Sequence, residues 1–134
     1  MNELKIEDLS IGDWVCYTGK CIDGIGPNRK ITYIERDTCG FLIGLDYGVF
    51  HYSSAKIEDI IPIPITPEIL EKNGVALAED YDENGGLFTC PAFSVVKYSN
   101  SYTFEVPQAR VRVEHVHELQ HAIRLAGIDK EIEL

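Results

Sequence analysis

Apolar and polar residues alternate in short runs through the first half of the chain, with turn residues between the runs. Leu9-Ser10-Ile11-Gly12-Asp13 reads as a turn that launches a strand, Trp14 to Tyr17. Lys30 to Glu35 sets Ile31 and Tyr33 against Thr32 and Ile34, a period of two that suits a sheet. Phe41 to Leu45 and Val49 to Tyr52 follow as strands, divided by Asp46-Tyr47-Gly48. Ser53 to Asp59 is predicted as one helical turn. Ile60 to Ile65 then returns as an extended edge that tolerates Pro62 and Pro64.

The pattern changes at Thr66. Thr66 is a good N-cap, Pro67 suits the first helical position, and Glu68 places an anion in the first turn. Ile65 and Leu70 can staple across the cap, and Asn73-Gly74 stops the helix. Residues 79–86 are polar and predict a loop, the best hinge candidate of the chain. Leu87 to Cys90, Ala92 to Tyr98, Tyr102 to Val106 and Arg110 to Val113 read as strands, with turns at Ser99-Asn100-Ser101 and Pro107-Gln108. A second helix is predicted near Glu114 to Ala126 and ends at Gly127, while Ile128 to Leu134 gives no signal. The expected fold class is α+β. An SH3-like small β-barrel spans 1–65. A short helix, an antiparallel β-meander and a C-terminal helix span 66–134, packed as one unit with it.

Charge narrows the partners. The chain of 134 residues carries a formal net charge of -10, with 12 Lys+Arg among 22 Asp+Glu. Phosphate contacts dominate nucleic-acid affinity and need a basic face, so no nucleic acid is expected. Anionic membrane surfaces are disfavoured for the same reason. No signal peptide is visible at the N-terminus, and no apolar run approaches the ~20 residues that cross a bilayer. Cys16, Cys21, Cys39 and Cys90 form no C-x-x-C pair, so reduced thiols in a cytoplasmic protein are expected. No cofactor is expected.

His117-Glu118-Leu119-Gln120-His121 spells H-E-x-x-H, in which two helical histidines grip a zinc ion and the glutamate takes a proton from its water. A shuffled chain of this composition would show it roughly 0.01 times. Its context is poor. The extended form needs Gly at position 124 and His at position 127, where the chain has Arg124 and Gly127. Glu131 and Glu133 come too early to serve as a downstream ligand. His51 is the only spare upstream histidine, because His115 lies about 200° around the helix from His117. Phase argues further. Val116, Leu119, Ile123 and Ala126 share one face, with Ala122 at its margin. Glu114, His117, Glu118, His121 and Arg124 gather on the other. The expectation is a core-facing stripe and a solvated face that leaves both imidazoles wet and binds no metal.

Asp80, Asp82, Asn84 and Gly85 open like a calcium loop, but its twelfth position is Pro91, so a solvated turn is expected. Gly24-Ile25-Gly26-Pro27-Asn28-Arg29 opens no helix and fails as a dinucleotide loop. No Gly-x-Ser-x-Gly and no P-loop occurs. Cys16 and Cys39 sit in or beside apolar strands and are expected in the core. Aromatics cluster in the first half, and Tyr47 and Tyr52 are the candidates for gripping a peptide.

Three blocks, Asp8 to Val15, Ile57 to Gly74, and Val116-His117-Glu118-Leu119-Gln120, resemble a family of small uncharacterised proteins encoded in Bacteroidetes genomes, often within phage-like or other mobile elements. The middle block, with Ile61-Pro62-Ile63-Pro64-Ile65-Thr66-Pro67-Glu68, is the distinctive one. In that family the last block often reads V-H-Q-L-Q-N, with Gln and Asn where this chain has Glu118 and His121, changes that a zinc hydrolase could not accept. The resemblance implies no activity. The expected role is a non-enzymatic accessory or protein-interaction domain with a protein partner. The rival is a zinc hydrolase with His117 and His121 as ligands and Glu118 as base. A weaker third reading is an acidic protein that occupies a basic, nucleic-acid-binding partner.

Overall fold

The computed structural model describes residues 5–18, 28–37, 40–46, 52–82, 85–99 and 101–134, of which 37, 41, 46, 52–55 and 82 by backbone alone. The chain is α+β, with two antiparallel sheets and two α-helices. It divides into two compact units, Met1–Ile63 and Pro64–Leu134.

The N-terminal unit has strands β1 (Trp14–Tyr17), β2 (Asn28–Asp37), β3 (Gly40–Asp46), β4 (Tyr52–Ala55) and β5 (Ile60–Ile61), with single 3-10 turns at Ile6–Asp8 and Ile57–Asp59. The sheet order is β4-β3-β2-β1-β5. Alternation along the strands turns Val15, Ile31, Ile43 and Leu45 inward, where Leu9 and Ile60 join them. Asp13, fully buried, fixes the turn into β1. Its Oδ2 accepts from Ser10 N at 2.8 Å, and its main-chain oxygen accepts from Ile31 N at 2.8 Å. Tyr33 stands opposite Gly44, and a Cβ at Gly44 would run into the Tyr33 ring. The ring therefore covers the gap that the glycine leaves in the sheet.

Among the described residues no ladder joins β4 to β5, so the sheet is not closed into a barrel. The helical turn expected over Ser53 to Asp59 is shorter. Tyr52–Ala55 is strand, paired with β3, and only Ile57–Asp59 turns.

In the C-terminal unit, α1 (Pro67–Lys72) begins at Thr66, whose Oγ1 accepts from Ile69 N at 3.2 Å. Gly74, at φ +80°, ends it in the left-handed region that glycine enters without strain. Strands β6 (Ala76–Asp82), β7 (Gly85–Thr89), β8 (Ser94–Tyr98), β9 (Ser101–Val106) and β10 (Ala109–Val113) form a meander in the order β10-β9-β8-β7-β6. Helix α2 (Val116–Leu125) follows and packs against β10. One face of the sheet is oily: Phe88, Val95 and Phe104 share a register row and are buried, as are Tyr102 and Val113 on the next. Phe93 lies 5.2 Å from Phe104, ring to ring. The stretch before α1 runs beside the stretch before α2, where Ile65 N donates to Glu114 O at 3.1 Å.

The polar stretch 79–86, predicted as a loop, is mostly strand. Ala76–Asp82 is an edge strand in register with β7, although bulged twice. Acidic side chains on an exposed edge look like a loop in sequence, because charge and bulges are how edges avoid unwanted pairing.

Candidate functional site

The N-terminus of α2 gathers three of the four histidines. His115 is the N-cap, extended at φ −126° and ψ 157°, and Glu118 is the third helical residue. Glu118 Oε1 accepts from His115 N at 3.0 Å and from Glu114 N at 3.2 Å, and lies 2.8 Å from His115 Nδ1. This is the reach-back half of a capping box. Glu118 is thus held by the backbone that precedes its own helix.

The solvated-face expectation fails at His117, which is buried at 4 % exposure. Its ring lies parallel to His115 at 5.9 Å and edge-on to His121 at 5.7 Å. His115 was placed on another face by helical phase, but an N-cap is not yet helical, so 100° per residue does not apply to it. His121 is half-buried. Ala126, expected in the core, is exposed, and Gln120, which the phase argument assigned to neither face, is buried at 3 %. The buried face of α2 is wider than its apolar stripe.

The segment that gave no signal accounts for part of that width. Residues 128–134 return against α2 and the end of α1, and Ile132 is buried at 1 %. Two carboxamides hold their backbone. Gln120 Nε2 donates to Lys130 O at 2.9 Å, and Gln120 Oε1 accepts from Ile132 N at 2.7 Å. Asn73 Nδ2 donates to Glu133 O at 2.8 Å, and Asn73 Oδ1 accepts from Glu133 N at 2.7 Å. Asn73 Nδ2 also donates to Ile69 O at 2.8 Å, so one side chain ends α1 and grips the returning segment. Arg124 adds an exposed contact to Glu131 at 3.1 Å. A polar residue beside an apolar stripe was the only sequence signal for Gln120, and Asn73 looked like a helix stop and nothing more.

Among the described residues, no group of three or more His, Cys, Asp or Glu side chains is placed to hold a metal ion. The imidazoles of 115, 117 and 121 sit in a row, and His51, the spare upstream histidine, lies outside the described residues. Asp80 belongs to β6 rather than to a loop, and Asn84 lies outside the described residues. So does Tyr47. Tyr52 begins β4, described by backbone alone. Cys16 and Cys90 are both half-buried, so Cys16 is less enclosed than expected; Cys39 lies outside the described residues. An open cleft of about 410 Å³ is lined by Cys90, Pro91, Phe93, Glu105 and Pro107, with no histidine to activate the thiol.

Tyr102, at 5 % exposure, holds its phenol proton above the ordinary tyrosine range, because burial penalises the phenolate and the carboxylate of Glu68 opposes a second negative charge. No helix of the described residues is long and apolar enough to cross a membrane. No family model, no curated protein and no solved structure matches the chain.

Proposed function

We propose that the protein is a non-enzymatic interaction domain whose N-terminal unit is an SH3-like sheet that takes a peptide. One observation carries this reading. After the 3-10 turn at Ile57–Asp59, β5 crosses back to pair with β1, on the far side of the sheet from β4. That connectivity is how a five-stranded SH3-like sheet wraps toward closure, and such sheets grip extended peptides with aromatics near their loops. Tyr47 and Tyr52 bracket the connection from β3 to β4 in sequence, which makes them the residues to test. In this reading the domain works in the cytoplasm, alongside the mobile-element proteins that its Ile57 to Gly74 block resembles.

The test is capture of a partner by cross-linking, followed by binding of the purified partner to wild type and to the Tyr47→Ala, Tyr52→Ala double variant. A drop of tenfold or more, with Trp14 fluorescence unchanged, is expected. Equal binding by a folded double variant would remove the reading.

The zinc-hydrolase rival needs Glu118 free to accept a proton from water, and the capping contacts to His115 and Glu114 compete for that oxygen. Metal analysis of protein purified without added zinc separates the two readings. Stoichiometric zinc that disappears in His117→Ala would restore the hydrolase. Binding that collapses as salt rises would favour a basic partner, the third reading.

A further inference from the structure

Residues 128–134 belong to no strand, yet two side chains bond their main chain as neighbouring strands would. Its side chains alternate: Lys130 and Leu134 are half-buried and Ile132 is buried, while Asp129, Glu131 and Glu133 are exposed. Its main chain is read by two carboxamides. Asn73 exchanges both hydrogen bonds with one residue, Glu133, as an antiparallel neighbour would. Gln120 bonds the carbonyl before Glu131 and the amide after it, as a parallel neighbour would. Both side chains are nearly shut off from water, Asn73 at 9 % and Gln120 at 3 % exposure. If the segment left, their polar atoms would lose these partners, and the Ile132 pocket would be laid open. Aliphatic contacts alone could not restore them. Another extended main chain, offering a carbonyl and an amide at the same spacing together with an aliphatic side chain for the pocket, restores both sets of contacts.

We propose that the slot between Asn73 and Gln120 is a peptide-binding site, kept occupied in cis by residues 128–134. The occupant it takes in trans is an extended segment of another protein with a branched aliphatic residue flanked by carboxylates. The seated sequence defines that chemistry. Glu131-Ile132-Glu133 puts the aliphatic group inside, both carboxylates outside, and one of them on Arg124. Main-chain bonds supply affinity and the Ile132 pocket supplies selection, which is how strand-adding recognition sites work. The tether is short and turns at Gly127, φ +76°. A cis segment on so short a tether has an effective concentration on the order of millimolar, so a trans peptide is screened out until the cis copy lets go. This inference concerns the C-terminal unit and stands apart from the reading of the N-terminal sheet.

The test uses the full chain and a fluorescent peptide with the sequence of residues 128–134. Ile132→Asp places a charge where the anchor is buried and releases the cis segment. The peptide should bind this variant on the order of 100-fold tighter than wild type, and the peptide that itself carries Ile132→Asp should bind neither. A folded variant that ignores the peptide overturns the proposal. If the variant does not fold, hydrogen exchange on wild type decides. The amides of Ile132 and Glu133 should exchange through local opening, well ahead of Leu119 and Ile123 in α2. Exchange of all four together makes the segment part of the core and overturns the proposal. A concentration-dependent wild-type dimer built on exchanged segments would give the slot to a second copy and overturn the choice of partner.

Discussion

The N-terminal sheet and the C-terminal sheet each have five antiparallel strands, but they cover their oily faces by different means. In the first, β5 returns to β1, and among the described residues the buried core is aliphatic: Leu9, Val15, Ile31, Ile43, Leu45 and Ile60, with Tyr17 packed against it. In the second the strands follow one another in order. The cover comes from elsewhere in the chain: α2, the residues around α1, and the returning segment with Ile132. Its buried rings, Phe88, Phe93, Tyr102 and Phe104, have no fully buried counterpart among the described residues of the first unit. In the second unit the rings supply large buried area to the layer between the sheet and its cover.

Substitutions can strain this contrast, beginning with the largest effect. Phe104→Ala should cost about 3–5 kcal/mol, because it removes a buried ring that packs on Phe93 beside Val95. The single tryptophan, Trp14, lies in β1, so its fluorescence follows the N-terminal unit alone. Urea unfolding of Phe104→Ala should lower the midpoint seen by circular dichroism more than the midpoint seen by Trp14. Equal shifts would mean that the two cores melt as one. Gly44→Ala probes the other side of the comparison. The added Cβ meets the Tyr33 ring and should cost about 1–3 kcal/mol, read this time through Trp14. Pairing it with Tyr33→Ala should remove much of that loss, and no recovery would show that the ring is not the obstacle.

Smaller effects sharpen the picture of α2. Glu118→Ala removes the acceptor for His115 N and Glu114 N and should cost about 1 kcal/mol in thermal unfolding. Glu118→Gln keeps an acceptor and should cost less. The smallest effect is alkaline. Tyr102 holds its proton more tightly when folded than when unfolded, so its contribution to stability is complete below the ordinary tyrosine pKa of about 10 and is lost as pH rises through the folded value. Tyr102→Phe should flatten the fall in stability above that pH. A fall just as steep in the variant would assign it to other groups.

The sheets were largely legible in the sequence because alternation reports burial on one face. Trp14–Tyr17 and Ala109–Val113 fall where the pattern puts them, within a residue. Strand β6 was hidden because every residue from Ala76 to Tyr81 is exposed, and a strand with no buried face shows no alternation. The helix capped by Thr66 was legible because each part of its start has a distinct chemical signature. The neighbourhood of His117 was not. Helical phase tells which residues share a face, but not how far a neighbour reaches around it, and the row of imidazoles begins on a residue outside the helix. Gln120 and Asn73 were illegible as a pair because they lie 47 positions apart and meet only through a third segment.

Asn73 is followed by Gly74, the sequence pair in which a main-chain nitrogen most readily attacks the preceding carboxamide and expels ammonia. While the chain is folded, that carboxamide is pinned at both ends and Gly74 N donates to Glu71 O, so the attacking geometry is withheld. Once the chain opens, nothing protects it. An aspartate formed there would set a negative oxygen against the carbonyls of Ile69 and Glu133, where an amide once donated. Time spent unfolded is thus written into the covalent structure at one position, and peptide mass spectrometry after repeated unfolding can read it as conversion of Asn73.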